Sequence, residues 1–115
     1  MPFDVGNFVE VETPNKEELR ILDEMARTPW CQGRFANGVK RCIIGALVEA
    51  DGLSLTDVDG KPLVDVVWSD AAKRVKTALE QTAGVNPDRL ALFNDGVADF
   101  SDVAKVYARA RKSFE

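Results

Sequence analysis

Residues 39–52 read VKRCIIGALVEADG and predict the most buried helix of the fold. Apolar side chains recur at the three- and four-residue spacing of one helical face. The pattern predicts a helix from about Val39 to Ala50, which Asp51 and Gly52 end. A helix that is apolar around much of its circumference is expected to lie at the centre of the core. Its apolar face holds Val39, Ile43, Ala46, Leu47 and Ala50, flanked by Ile44 and Val48.

Another helix is predicted before this one. Asn15 is a favourable N-cap, Glu18 completes a capping-box pattern, and Pro29 ends the helix. Residues 30–38 then form a connection that contains two glycines. The apolar stripe of this helix consists of Leu19, Leu22, Met25 and Ala26.

Three more helices are predicted towards the C-terminus. Ser69 caps a helix that ends at Gly84, Asn86 and Pro87 begin a short one, and Ser101 caps the last. The first of the three buries Ala72, Val75, Leu79 and Thr82, and the last buries Val103, Val106, Tyr107, Ala110 and Phe114.

Residues 53–68 fit two structures. Asp59-Gly60 suits a two-residue type I′ turn, which predicts a small β-hairpin near residues 53–67. In the alternative, a helix begins near Pro62, because the apolar residues after it also keep helical spacing. We favour the hairpin. The chain is thus predicted to be mainly α, a compact bundle of four to five helices with one small β-hairpin.

The first residues stand apart from this bundle. Residues 1–13 are predicted to form an N-terminal arm, and residues 14–115 a single helical domain. Within the arm, Phe8-Val9-Glu10-Val11-Glu12 alternates as a short strand does.

The composition argues against several classes of function. The net charge is −4 over 115 residues, whereas nucleic-acid binding relies on excess lysine and arginine. Histidine is absent, which removes the usual general base and the commonest nitrogen ligand of zinc. No apolar run approaches the roughly 18 residues of a membrane span, and the first residues do not resemble a signal peptide. We therefore expect a cytoplasmic protein with reduced cysteines, no metal and no cofactor.

Two short motifs concentrate the rare residues, Trp30-Cys31-Gln32-Gly33 and Cys42-Ile43-Ile44-Gly45-Ala46-Leu47. A reactive thiol is one interpretation of Cys31, since basic residues are nearby in sequence. The usual burial of free cysteines instead favours a structural role for Cys31 and Cys42. Gly45 inside a helix costs about 1 kcal/mol relative to alanine. That cost indicates close approach of a backbone or an aromatic ring, and Trp30 is the candidate ring.

Gln32 and the pair Asn94-Asp95 are polar residues in predicted turns. Their side chains are expected to bond to backbone groups of the loops, and the functional interpretation is contact with a ligand. Asp95 is a lone carboxylate, which is a weak basis for acid–base catalysis.

The motifs resemble those of a family of small bacterial and phage proteins of unknown function, with the pattern W-x-Q-G, C-x-x-G-A-L and W-N-D. The resemblance runs from about Leu19 to the C-terminus, and Phe93 stands where the family has tryptophan. It implies a mostly helical cytoplasmic protein linked to phages. It assigns no role to the motif positions, which are Trp30, Gln32, Cys42, Gly45, Asn94 and Asp95.

The sequence is compatible with two hypotheses of function. The first is a non-enzymatic interaction or regulatory module with a protein partner, whose basic surface would meet the acidic stretches 1–30 and 51–70. A homo-oligomer is also compatible with the sequence. The second is a small ligand-binding protein or enzyme with a site near Cys31, Gln32, Asn94 and Asp95. Convergence of the polar side chains on an open pocket favours the second hypothesis, and bonds to backbone in a closed junction favour the first.

Overall fold

Five helices and one small hairpin make up the described part of the chain. The computed structural model describes residues 14–53 and 67–115. In chain order the elements are α1 (Lys16–Arg27), β1 (Ala36–Asn37), β2 (Lys40–Arg41), α2 (Ile43–Ala50), α3 (Asp70–Ala83), α4 (Leu90–Gly96) and α5 (Phe100–Lys112). The prediction of a mainly α fold with a small hairpin is confirmed.

The hairpin of the structure is not the one that the sequence predicts. It joins residues 36–41, where β1 and β2 pair antiparallel with Ala36 opposite Arg41. The predicted hairpin near residues 53–67 lies, apart from its two end residues, outside the described part of the chain. The predicted arm, residues 1–13, lies outside it as well.

The core lies between α1, α2, α3 and α5. Helix α1 packs against the other three, whereas α2 contacts α1 and α4. The prediction that α2 is deeply buried is confirmed, because six of its eight residues are buried. Its predicted central position is wrong, because α1 is the helix with the more extensive contacts to the other helices of the core. Fully buried core residues include Ile21, Leu22, Ile43, Leu47, Val75 and Leu79.

Helix α2 begins four residues later than the helical periodicity indicates. Val39 lies in the hairpin turn and is 76% exposed, so its predicted place on the buried face is wrong. Gly38 has a φ of 64°, and glycine at the first central position is typical of a type II′ turn. Cys42 is the N-cap instead, with its Sγ accepting from the Gly45 N–H at 3.4 Å. The predicted end at Ala50 is confirmed.

Long-range contacts replace the predicted capping box of α1. Asn15 occupies the N-cap position, but its φ of 63° is left-handed and its side chain makes no cap. Its amide nitrogen donates instead to the Phe114 carbonyl at 3.2 Å. Glu18 is buried and pairs with Arg74 on α3. A buried carboxylate is stable only when it is paired, which explains why tertiary contact overrides the local cap.

The ends of the other helices follow the local signals in part. Ser69 caps α3 through Ala72 N, and Gly84 ends it with a φ of 73°, both as predicted. Helix α4 begins at Leu90 rather than at Asn86 and Pro87.

Two acceptor side chains that the sequence does not predict as caps explain why the start of α4 and the cap of α5 differ from the prediction. The Asp88 N–H donates to the buried Glu80 carboxylate at 2.7 Å, which holds the α3–α4 connection in a turn. Asp99, not Ser101, caps α5 by accepting from the Ser101 N–H at 2.9 Å. Thr82 is half-buried rather than part of the core. Within residues 14–53 and 67–115, no helix has the length and apolarity to cross a bilayer.

Candidate functional site

Asn94 is the centre of the place where the sequence motifs meet. It belongs to α4 and is completely buried. Its Oδ1 accepts from the Trp30 indole Nε1 at 2.7 Å and from the Ile43 N–H at 3.1 Å. Its Nδ2 donates to the Cys31 carbonyl at 3.0 Å and to the Asp95 carboxylate at 3.2 Å. The two acceptor and two donor positions of this amide are therefore all occupied.

One of these bonds caps a neighbouring helix. Ile43 is the first residue of α2, and the first N–H groups of a helix have no partner within it. The Asn94 oxygen supplies that partner from another helix. Asn94 thus acts as a long-range N-cap of α2. Because the bond lies in the core, the loss of this partner would leave a buried N–H unpaired at a cost of about 1–3 kcal/mol.

Gln32 caps α4 in return. Its Nε2 donates to the Asn94 carbonyl at 2.9 Å and to the Val97 carbonyl at 3.0 Å. Carbonyls at the C-terminal end of a helix lack partners within it, so these bonds close the end of α4. Beside them, the Gly33 N–H donates to Asp95 Oδ1 at 2.8 Å. With the bond from Asn94 Nδ2 to the Cys31 carbonyl, four hydrogen bonds therefore fix the loop 31–33 to α4 and its C-cap Val97.

We call this arrangement the motif junction, and it consists of Trp30, Cys31, Gln32, Gly33, Cys42, Asn94 and Asp95. The structure brings together all the predicted polar site residues in it. The expectation that their side chains bond to backbone groups is met by the contacts of Gln32, Asn94 and Asp95.

Both cysteines are buried and free, as the sequence predicts. Cys31 Sγ donates to the Arg34 carbonyl at 3.6 Å, and Cys42 Sγ accepts the α2 cap bond. Burial raises the pKa of the Cys42 thiol, with the Gly45 and Ile44 N–H groups acting against that shift. A raised pKa disfavours the thiolate, which is the nucleophilic and metal-binding form.

Gly45 meets a backbone rather than the predicted ring. A Cβ atom at this position would lie closer than 3.0 Å to the Phe35 carbonyl oxygen. That oxygen accepts from the Cys42 N–H at 3.1 Å, so it cannot move without breaking a bond. The Trp30 ring lies instead against Phe100, with ring centres 5.9 Å apart. The expectation of a close approach is met, and the choice of Trp30 as the approaching group is wrong.

The hairpin of residues 36–41 carries exposed apolar side chains that sequence reasoning missed. Val39 is 76% exposed and Phe35, just before β1, is 42% exposed. Exposed Arg34 and Lys40 lie beside them. The signal was available, because Gly38 before Val39 fits a two-residue hairpin turn. The helical periodicity of the next residues concealed it. We call Arg34, Phe35, Val39 and Lys40 the hairpin surface.

Two surface cavities of the described residues, of about 380 and 210 Å³, lie along α3 with α5 and along α1 with α5. Their walls include none of the junction residues. The described residues also contain no group of three cysteine, aspartate or glutamate side chains placed to hold a metal ion.

The resemblance drawn from the W-x-Q-G and C-x-x-G-A-L motifs stays a prediction. The resemblance depends on the motif residues alone. The function proposed below is argued instead from the contacts of the motif junction and from the hairpin surface. No protein-family model, curated protein or solved structure matches the chain.

Proposed function

We propose that the protein is a non-enzymatic interaction module of the cytoplasm, which regulates a protein partner and is linked to a phage or another mobile element. The observation that carries the proposal is the exposure of Phe35 and Val39 on an anchored hairpin. Aromatic and arginine side chains are enriched at protein interfaces, and the hairpin surface offers Phe35 beside Arg34.

The anchoring of the hairpin supports the proposal. Cys42 N–H holds the Phe35 carbonyl at 3.1 Å, and Asp95 holds the Gly33 N–H at 2.8 Å. Arg41 Nε lies 2.9 Å from Glu49 Oε1 in an ion pair between β2 and α2, but the angles at this nitrogen are not those of a hydrogen bond. A surface that is already ordered loses less conformational entropy on binding, so it binds more tightly for the same contacts.

The charges of the hairpin surface indicate the kind of partner. Arg34 and Lys40 are both cationic and flank the two apolar side chains. An acidic partner surface with an apolar recess would complement them, and opposite charges accelerate association. This partner differs from the basic one that the acidic stretches 1–30 and 51–70 indicate.

The alternative of a small ligand-binding protein or enzyme has less support. Its site would lie near Cys31, Gln32, Asn94 and Asp95, where the amide groups are already bonded to helix ends and loop backbone. A ligand would have to displace those bonds, each worth about 1 kcal/mol, before it gained any of its own.

The proposal is tested by comparing three bait proteins in a lysate of the cells that express the chain. The wild type is expected to retain a partner in stoichiometric amount, and the double variant Phe35→Ser with Val39→Ser to lose it. Val67→Ser is the matched control, because Val67 is 87% exposed and lies near Ser69, which bonds Asp51 at the opposite end of α2. Circular dichroism of each variant verifies that the fold is retained.

Two outcomes would contradict the proposal. One is equal retention of every protein by all three baits, which would mean that the hairpin surface is not the contact. The other is the absence of any stoichiometric partner of the wild type.

A further inference from the structure

A surface groove whose lining includes no residue of the hairpin has the properties of a peptide site. It has a volume of about 380 Å³ and runs between α3 and the end of α5. Phe114 and Ala78 give it an apolar floor, and its other walls are Lys73, Arg74, Thr77, Gln81 and Ser113. No residue of the hairpin surface or of the motif junction takes part in it, so binding in this groove is independent of the proposed function.

The polar walls of the groove suit an extended chain. Thr77, Gln81 and Ser113 offer hydroxyl and amide groups, which an extended backbone needs as bonding partners because it has none of its own. Lys73 is exposed at the rim, and Arg74 is exposed beyond its ion pair with Glu18. Long cationic side chains at a rim can reach carboxylates that point away from an apolar floor.

The chain itself contains a segment of matching chemistry. In residues 8–12, Phe-Val-Glu-Val-Glu, an extended backbone places Val9 and Val11 on one side and Glu10 and Glu12 on the other. Two valines suit the apolar floor, and two carboxylates suit a cationic rim. The segment is complementary to the groove in both respects.

The residue that precedes α1, Asn15, contacts a residue of the groove. Asn15 donates its side-chain amide to the carbonyl of Phe114, which forms the groove floor. Residues 8–12 precede Asn15 by three to seven residues, so an extended chain reaches about 10–25 Å from that point. The α3 wall from Lys73 to Gln81 is about 12 Å long at the rise of a helix. The segment is therefore attached at the groove and long enough to run along it.

We propose that the groove between α3 and α5 binds residues 8–12 of the same chain, with the two valines on the floor and the two glutamates towards Lys73 and Arg74. The occupied groove would cover Ala78 and the edge of Phe114 and fix the arm to the domain.

Hydrogen exchange and nuclear Overhauser contacts of the full-length protein test the proposal. The amides of residues 9–11 are expected to exchange more slowly than in an unstructured peptide, and the methyl groups of Val9 and Val11 to show contacts with the Phe114 ring. Lys73→Glu is expected to accelerate that exchange about two- to five-fold, the effect of removing one exposed charge pair. Lys105→Glu is the matched control, since Lys105 is an exposed residue of α5 that is not part of the groove.

Three results would overturn the proposal. Exchange of residues 9–11 at the rate of an unstructured peptide means that the segment does not bind. Slow exchange without contacts to Phe114, or with equal response to both charge variants, means that it binds elsewhere. Slow exchange that is lost on dilution means that the groove takes the arm of a second copy.

Discussion

Replacing Gly45 by alanine sets two well-known effects against each other. In an exposed helix interior this change stabilises a protein by about 1 kcal/mol, because alanine is the better helix former. Here the new Cβ would lie closer than 3.0 Å to the Phe35 carbonyl oxygen and 3.3 Å from its carbon. Both atoms are backbone, so the neighbour cannot rotate away as a side chain would.

The structure allows the magnitude to be worked out. Overpacking in a core costs about 1–3 kcal/mol. Displacing the Phe35 carbonyl also weakens its 3.1 Å bond from Cys42 N–H, a further loss of about 1 kcal/mol. The helical gain of about 1 kcal/mol offsets part of these two losses. We therefore expect Gly45→Ala to lower the free energy of unfolding by about 1–3 kcal/mol. For a domain of this size that corresponds to a fall in Tm of about 4–12 °C.

Guanidinium unfolding followed by far-ultraviolet circular dichroism measures the loss, and Gly96 supplies the matched control. Gly96 is the last residue of α4, and a Cβ built there meets nothing within 4 Å. We expect Gly96→Ala to be neutral or to stabilise by up to about 1 kcal/mol. If Gly45→Ala is as stable as the wild type while Gly96→Ala behaves as expected, the close approach of Phe35 does not constrain this position and the reasoning fails.

Three further predictions concern polar groups and thiols. Asn94→Leu should lower the free energy of unfolding by about 3 kcal/mol or more, since it leaves several buried groups unpaired; a loss under about 1 kcal/mol in denaturant unfolding would contradict the role of this amide. Cys31 and Cys42 should resist a thiol reagent in the native protein and react in denaturant, and rapid labelling of both in the native state would show that they are not buried. The Arg111 guanidinium lowers the pKa of the Asp23 carboxyl. A lowered pKa stabilises the fold above the unfolded value of about 4, and the stabilisation is lost as pH falls through the folded value. Stability curves of the wild type and Asp23→Asn should therefore converge towards acid pH, and parallel curves would refute the pairing.

Local signals in the sequence succeeded where the bonding partner is a near neighbour. Ser69 caps α3 through a residue three positions away, and Gly84 ends that helix because glycine adopts a left-handed φ at no steric cost. The buried periodicity of α2 from Ile43 onwards is likewise local. These features depend on a few consecutive residues, so a single sequence contains all the information that they need.

The same reasoning failed where a distant residue competes for the same side chain. Glu18 fits a capping box, but α3 brings Arg74 to it across 56 positions of sequence. Asn15 bonds Phe114 across 99 positions. Once a carboxylate is buried, the need for a charged partner outweighs a local cap of about 1 kcal/mol. Nothing in the spacing of a single chain reveals which distant cation arrives.

The hairpin shows a second cause of failure, which is competition between two local patterns. Val39 lies four residues before Ile43, so the helical period counts it as part of the apolar face. The turn at Gly38 places it outside instead. The site residues were predicted more accurately than this element, since Gln32, Asn94 and Asp95 were expected to tie loops together and their bonds do so.

The motif junction also explains how two very short helices persist. Helices α2 and α4 have eight and seven residues, well below the roughly 12–15 at which an isolated helix is even marginally stable in water. Asn94 of α4 satisfies the first N–H of α2, and Gln32 satisfies the last carbonyls of α4. Helix α2 thus depends on a side chain of α4, and α4 depends on a side chain of the loop 31–33. Because folding alone demands these residue types at these positions, their presence is no sign of a ligand. A function has to be sought on the surfaces that the junction supports, and the anchored hairpin is one whose exposed apolar side chains folding does not require.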